Sequence, residues 1–200
     1  MKIILASGSP RRAKILRELG VDFEIVKSDA EEVAYPHDPE RTVRENALAK
    51  GEAVLHSSFL IPHFSFLPTL SADTIVWFDN KIYGKPRDLE EAKAFLHTLS
   101  GNVHTVFTGV ALCRCAPDST ETVEVRVIRS DVKFRELSNA MIDEYVARVK
   151  PTDRAGAYDI DESGDLIVES YTGSYENIMG LPVEPLKEWG IVVRQPCVER

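Results

Sequence analysis

The first stretch that could bind an anion is Ser-Gly-Ser-Pro-Arg-Arg, residues 7–12. It follows an apolar run and opens a predicted helix, whose first N–H groups lack backbone acceptors and attract phosphate. Gly8 lets a ligand approach the backbone closely, and Ser7 and Ser9 add hydroxyl groups. Arg11 and Arg12 lie at the positive end of the helix dipole, an unfavourable place unless an anion is bound there. We interpret the stretch as a phosphate-binding site; the alternative is a capped helix with a basic first turn.

A second candidate is Asp73, which lies between Ala72 and Thr74 in a run typical of a β-strand. Aspartate is depleted in strands, so its presence in this run needs an explanation. The carboxylate could bind Mg²⁺ or accept a proton from water beside a phosphate. It could equally accept a backbone hydrogen bond at a strand edge or bulge. The residue type by itself leaves both readings open.

Other stretches give weaker signals. Lys85 lies in Gly-Lys-Pro after a predicted hairpin, without the spacer and the Ser or Thr of a P-loop. Lys50 lies at the edge of the apolar face of a predicted helix, where it could extend into a cleft or only cover apolar surface. The acidic pair that ends at Glu32 becomes interesting only if the fold brings it opposite Asp73. Small residues around Tyr158 could form the floor of a base pocket.

The elements that must position these residues alternate between strand and helix. Hydrophobic periodicity predicts strands at 2–6, 21–26, 70–78, 103–115 and 121–134, with short strands around 166–170. It predicts helices at 10–19, 40–55, 88–99, 138–149 and 183–189. Ser9 and Asp88 are expected N-caps, and the segment 56–68, with two prolines, is expected to be a loop. The pattern predicts an α/β protein with mixed strand pairing.

Composition limits the classes of partner. A chain of 200 residues with a net charge of −8 does not offer a broad basic face, so we expect no nucleic-acid partner. The apolar runs are too short to span a bilayer, so we expect no membrane partner. Three cysteines without disulfide-type spacing favour a reducing, cytoplasmic location.

Taken together and in this order, the motifs resemble the Maf family of nucleoside triphosphate pyrophosphatases. The resemblance extends from Ile4 to about Trp189. The matching residues are the stretch 7–12, Glu32, Lys50, the stretches 71–76, 84–88 and 99–101, His104, and the stretches 108–110, 155–158, 173–175 and 180–182. Each motif alone is common, whereas the ordered set is specific.

The resemblance implies one Maf-like domain over residues 1–200, with an elongated α/β fold similar to the inosine triphosphatase type. A mixed sheet with flanking helices would form two lobes around a nucleotide cleft. It implies a house-cleaning hydrolase that cleaves the α–β phosphate bond of a nucleoside triphosphate, releasing the monophosphate and pyrophosphate. A divalent cation, Mg²⁺ or Mn²⁺, would be required, and members are often homodimers.

The resemblance also assigns roles by position. Asp73 resembles the catalytic carboxylate that accepts a proton from the attacking water, and Glu32 would hold the metal together with Asp73. The residues that would bind the substrate and its phosphates are Ser7, Ser9, Arg11, Arg12, Lys50 and Lys85.

The expected substrate follows from the branch of the family. Arg11 and Thr74 resemble the branch that acts on dTTP and UTP. That branch reads Lys-Ala-Gly-Ala-Tyr-Gly-Ile-Gln-Gly where this chain has Arg-Ala-Gly-Ala-Tyr-Asp-Ile-Asp-Glu, residues 154–162. Asp161 replaces the glutamine linked to base choice, and an ionised carboxylate can only accept hydrogen bonds. Uracil and thymine still offer N3–H, so dTTP and UTP stay expected, with CTP or a modified pyrimidine nucleotide as alternatives.

The alternative function is a non-catalytic nucleotide-binding regulator of cell division or septum formation. Such a protein would bind a nucleotide without turnover. The presence of the expected catalytic carboxylate together with the cations argues for the enzyme.

Overall fold

The structure is a computed structural model that describes residues 1–58, 66–116 and 118–192. Its strands are β1 (Lys2–Leu5), β2 (Asp22–Ile25), β3 (Thr69–Phe78), β4 (Lys81–Tyr83), β5 (Val103–Cys115), β6 (Glu121–Phe134) and β7 (Val168–Thr172). Its α-helices are α1 (Pro10–Glu18), α2 (Pro39–Ser58), α3 (Leu89–Leu99), α4 (Asn139–Val149), α5 (Gly164–Ile167), α6 (Tyr175–Ile178) and α7 (Val183–Glu188). Two short 3-10 helices, Pro151–Asp153 and Ala155–Ala157, follow α4.

The strands form one sheet in the order β2-β1-β3-β5-β6-β7, with β4 paired to β3. The β1 strand pairs in parallel with β2 and β3, whereas all other pairs are antiparallel. The prediction of an α/β fold with a mixed sheet flanked by helices is therefore confirmed.

One edge of β3 is shared by two strands and leaves a gap between them. Leu70 pairs with Leu5 of β1, and Val76 pairs with Tyr83 of β4. Between these pairs, residues 71–75 pair with β5 on one side only. Strand β1 also ends at this point. Its two parallel neighbours, β2 and β3, lie on opposite sides of it, and such switch points form crevices in α/β sheets. The fold thus opens a cleft at the middle of β3.

Apolar clusters lie on both sides of this cleft. The first joins β1 and α1 to the C-terminal helix, and it includes Leu5, Leu16, Leu181 and Leu186. The second joins the far half of β3 to α3 and α4, and its buried members include Leu96, Phe134, Ile142, Tyr145 and Tyr158. Each cluster holds its own wall of the cleft, while the description of the chain as a single domain with two lobes stays a prediction.

Helix α2 packs unusually closely on the sheet because a glycine of β5 lies beneath it. A Cβ added to Gly109 would lie 2.2 Å from the carbonyl oxygen of Val43. No side chain larger than hydrogen fits against backbone at that distance. The close approach brings the following turns of α2 over the middle of β3.

Most predicted elements agree with the structure, and the differences have local causes. Helix α2 extends to Ser58, so the prediction of a loop from residue 56 was wrong at 56–58; residues 59–65 lie outside the described ranges. The predicted strands around 166–170 are a helical turn, α5, followed by β7. Ser9 is the N-cap residue of α1 without a side-chain cap bond, whereas Asp88 accepts from the N–H of Glu91 as expected.

None of the helices within the described ranges combines the length and apolarity needed to cross a membrane.

Candidate active site

The cleft has a volume of about 580 Å³ and is lined by residues from both walls. At one end, Ser7, Gly8 and Ser9 form the turn between β1 and α1. The Ser7 hydroxyl oxygen accepts from the N–H of Ser9 at 3.2 Å and from Arg12 Nη1 at 3.0 Å. Because it only accepts from the protein, its own proton is available to a ligand. The turn therefore presents a hydroxyl group and a helix N-terminus to the cleft, and anion binding there stays a prediction.

Arg12 connects the turn at residues 7–9, the middle of β3 and the segment after α6. Its Nε donates to the carbonyl of Gly180 at 2.8 Å, and Nη1 donates to the carbonyl of Ala72 at 2.8 Å and to Ser7. Its Nη2 donates to the hydroxyl of Thr74 at 3.0 Å. Burial lowers the pKa of Arg12 to about 10, and the nearby Asp73 partly counteracts this. Among the described residues, acceptors are found for all but one guanidinium N–H, so Arg12 can give a phosphate a single direct bond.

Asp73 lies at the centre of the cleft, in the gap along β3, and is 6% exposed. One carboxylate oxygen accepts from Lys50 Nζ at 2.6 Å, and the other accepts from Asn46 Nδ2 at 3.0 Å. Both donors lie one turn apart on α2, which Gly109 allows to pack so closely. The amide oxygen of Asn46 accepts from the N–H of Val33, which fixes the orientation of the amide. Asp73 is therefore an oriented acceptor that faces a polar cavity.

Glu32 approaches the same centre from the segment after β2. Its carboxylate lies 2.7 Å from Lys50 Nζ, so Glu32 and Asp73 converge on one positive charge. Glu32 therefore lies opposite Asp73, which is the arrangement that makes the acidic pair ending at Glu32 interesting. The segment is held there because Asn46 bonds both the N–H and the carbonyl of Val33.

The two carboxylates fit a divalent cation that is shared with a substrate. Mg²⁺ commonly takes one or two carboxylates and completes its shell with phosphate oxygens and water. The described parts of the chain contain no group of three or more His, Cys, Asp or Glu side chains that could hold a metal ion by itself. In this structure both carboxylates contact the Lys50 ammonium, at 2.7 Å from Glu32 and 2.6 Å from Asp73.

Two lysines line the cleft without a partner among the described residues, Lys27 and Lys85. Lys85 was expected from the sequence and follows β4. Lys27 was not expected; it follows β2, and its side chain passes over Gly8, where an added Cβ would lie 3.1 Å from Cε. A lysine that no carboxylate neutralises is free to bind a phosphate.

The specificity candidates lie in different places. Thr74 lines the cleft, and its hydroxyl lies 3.0 Å from that of Thr108. Arg11 also lines the cleft and contacts Asp159 at 3.4 Å. Asp161 does not line it: its carboxylate pairs with Lys14 and accepts from the hydroxyl of Tyr175 at 3.2 Å.

The chain turns at Asp159, and this explains the position of Asp161. The N–H of Asp161 donates to Asp159 Oδ1 at 2.9 Å, the bond of an Asx turn. Asp159, rather than Asp161, therefore presents its carboxylate at the cleft. The sequence signal for this position is an aspartate where the dTTP/UTP branch has a glycine, and the residue type alone did not assign it a role.

The second wall ends in an aromatic group around Tyr158, which lines the cleft. Its hydroxyl lies 3.0 Å from Nε2 of His104, and both rings pack edge-on against Phe134. His104 is 1% exposed, and burial lowers its pKa to about 3. The imidazole is therefore neutral at ordinary pH and supports Tyr158 as a packed, uncharged group.

Fold and site together define an α/β protein with a polar cleft in which cations, two carboxylates and a helix N-terminus converge. The chain belongs to the Maf family: the model of the Maf-like protein family matches residues 2–189.

Similar proteins include a dTTP/UTP pyrophosphatase of Thermotoga maritima, 43% identical over 183 residues, which are 92% of this chain and 85% of the relative. A dTTP/UTP pyrophosphatase of Bacillus anthracis is 42% identical over 186 residues, with 92% of each chain covered. Among solved structures, a nucleoside-triphosphatase / dITP/XTP pyrophosphatase from Mycobacterium abscessus matches 68% of this chain and 76% of its own, with a TM-score of 0.40 and 21% identity.

Proposed function

We propose that this chain is a nucleoside triphosphate pyrophosphatase that acts on dTTP and UTP. The observation that carries the proposal is the position of Asp73, an oriented and nearly buried carboxylate in the β3 gap, with Lys50 bound to it. The names of relatives that are 42–43% identical over nine-tenths of this chain support the reaction and the substrates.

The reaction needs a water molecule to attack the α-phosphorus. A bond forms between the water oxygen and phosphorus, the bond from phosphorus to the bridging oxygen breaks, and pyrophosphate leaves. Asp73 accepts the proton of the water, and Asn46 keeps its carboxylate oriented through the bond of 3.0 Å. Negative charge builds on the phosphate oxygens, and fixed cations around them stabilise the transition state.

The cations of the cleft differ in how many protein acceptors already hold them. Lys50, Lys85 and Lys27 are point charges on flexible stems that can bind phosphate oxygens, while Arg12 is held by four acceptors and has one N–H to offer. Ser7 and Ser9 add hydroxyl donors at the helix N-terminus. Lys50 exchanges its contacts with carboxylates for contacts with phosphate when the substrate enters.

Glu32 and Asp73 would hold the divalent cation, Mg²⁺ or Mn²⁺, which neutralises phosphate charge and lowers the pKa of bound water when present. The spacing of both carboxylates around one ammonium supports this assignment.

Base choice is assigned to Arg11 and Thr74, the residues that support dTTP and UTP by resemblance and line the cleft. CTP and modified pyrimidine nucleotides stay as alternatives. Asp161 pairs with Lys14 and does not line the cleft, so it has no direct contact through which it could take part in base choice. We further propose a cytoplasmic homodimer, on the family resemblance and the cysteine content.

The test is pyrophosphate release from a panel of nucleoside triphosphates with Mg²⁺ or Mn²⁺, measured for the wild type and Asp73→Asn. The panel contains the standard nucleotides, 5-methyl-UTP, pseudo-UTP and 7-methyl-GTP. Turnover of UTP and dTTP that disappears in Asp73→Asn supports the proposal. Absence of turnover from folded wild-type protein that still binds nucleotides would favour the regulator instead.

A further inference from the structure

An ion-pair network that includes Arg11 and Asp159 forms part of the cleft lining. Asp159 Oδ2 accepts from Arg154 Nε at 3.0 Å and lies 3.4 Å from Arg11 Nη1. Arg154 Nη2 continues the network to Glu162 at 2.7 Å. The network thus connects the first turn of α1 to the segment after α4, two parts of the chain that are distant in sequence.

Asp159 is the immobile member of the network. It is 6% exposed, its Oδ1 accepts from the N–H of Asp161, and its own N–H donates to the hydroxyl of Tyr145 at 2.8 Å. Arg154 is also fixed, because it donates to the carbonyl of Val149 and to the carboxylate of Asp153 as well. A carboxylate held from so many directions keeps its position when the cleft fills.

Arg11 is the member of the network with the fewest contacts. Its side chain is 23% exposed, lines the cleft, and has this single contact of 3.4 Å with Asp159. The other guanidinium N–H groups have no acceptor among the described residues, so they remain available to a ligand. Nearby, the wall carries Ala155, Tyr158 and Ile178, a more apolar lining than the turn around Gly8. Such a surface suits a flat base better than a phosphate.

We propose that Asp159 is a positioning residue that acts through Arg11 and thereby sets base selectivity; this rests on the proposed function. Asp159 holds the guanidinium at the apolar wall, where its free N–H groups donate to a carbonyl oxygen of uracil or thymine. Cytosine presents an amino group at that place, and two donors that face each other do not bond. The pair therefore favours UTP and dTTP over CTP.

The experiment compares wild type, Asp159→Asn, Arg11→Ala and the double variant with UTP and CTP. Asparagine keeps the size of the side chain and an acceptor for Asp161, but it loses the charge that holds Arg11 and the acceptor of Arg154 Nε. We expect the KM for UTP to rise about fivefold to tenfold in Asp159→Asn with kcat nearly unchanged, and the preference for UTP over CTP to fall similarly. The double variant should match Arg11→Ala, because both changes remove the same contact.

The matched control is Glu162→Gln, which removes another partner of Arg154 outside the cleft and should leave both KM values unchanged. Binding of UMP and CMP, measured by calorimetry, reads the same preference without turnover, so failure of the proposed reaction remains distinguishable from failure of this inference. A preference unchanged in Asp159→Asn, a loss of kcat and thermal stability alone, or multiplied effects in the double variant would each overturn the proposal.

Discussion

Asp73 and Asp159 are two carboxylates of one cleft with equal burial and different cationic partners. Each is 6% exposed and each accepts from two side chains. The main cation on Asp73 is Lys50, a flexible point charge that Glu32 shares. The main cation on Asp159 is Arg154, a planar fork bound to further acceptors.

The difference separates chemistry from positioning. A carboxylate whose cation can move to a phosphate becomes free to accept a proton or bind a metal when the substrate arrives. A carboxylate that an immobile arginine neutralises stays a structural anion and orients its other neighbour, Arg11. Burial and charge pairing alone would have ranked the two equally, so the kind of cation and its further acceptors are what distinguish them.

The largest expected effect on activity comes from a change at Asp73. Asp73→Asn removes the proposed proton acceptor and one proposed metal ligand, and we expect pyrophosphate release to fall on the order of 10²–10⁴-fold. Circular dichroism and the thermal midpoint should show that the variant stays folded. Near-normal turnover would remove Asp73 from the catalytic role.

A second change tests how α2 delivers Lys50 and Asn46 to Asp73. In Gly109→Ala, the new methyl would lie 2.2 Å from the carbonyl oxygen of Val43, so the helix must shift. We expect a loss of about 3 kcal/mol in the free energy of unfolding, measured with urea. Gly84→Ala is the control, since nothing lies within 4 Å of its added Cβ; equal stability of the two variants would contradict the packing argument.

A third change tests the aromatic support on the Asp159 side. Burial holds the pKa of His104 at about 3 when folded, against 6.5 when unfolded, so the unfolded chain binds the extra proton and acid favours unfolding. Between pH 7.5 and 5.5 we expect His104 to account for about 1.4 kcal/mol of lost stability. Urea titrations of the wild type should show this loss, and His104→Asn should lack that part of it. His97→Asn, a substitution at an exposed position, is the matched control. If His104→Asn loses as much stability between pH 7.5 and 5.5 as the wild type does, the explanation is refuted.

The smallest expected effect concerns Lys27, which belongs to the Asp73 side. Lys27→Gln removes an exposed, unpaired charge at the turn around Gly8, worth about 1 kcal/mol to a bound phosphate. We expect the KM for UTP to rise roughly fivefold and inhibition by pyrophosphate to weaken, while inhibition by UMP stays the same. Lys187→Gln, an exposed lysine outside the cleft lining, is the control and should match the wild type.

Sequence patterns predicted the bounds of helices and strands most closely where a local rule, such as periodicity or capping, applies. The bounds of α1, α3, β5 and β6 follow hydrophobic periodicity and capping closely. Asn46 could have been found as well, because it lies one turn before Lys50 and therefore on the same side of α2. The end of α2 was misplaced because its last turn has the polar composition of a loop.

The order of motifs in this sequence determined the family, the α/β class, the turn between β1 and α1 and the presence of Asp73 in a strand, because these depend on short-range patterns. Only the tertiary structure decided which distant groups meet. It joined Glu32, Lys50 and Asp73 at one point, used four acceptors to occupy Arg12, and placed Asp159 rather than Asp161 at the cleft. Contacts between residues so far apart depend on strand order and on the distance at which α2 packs, and neither is written in any local stretch.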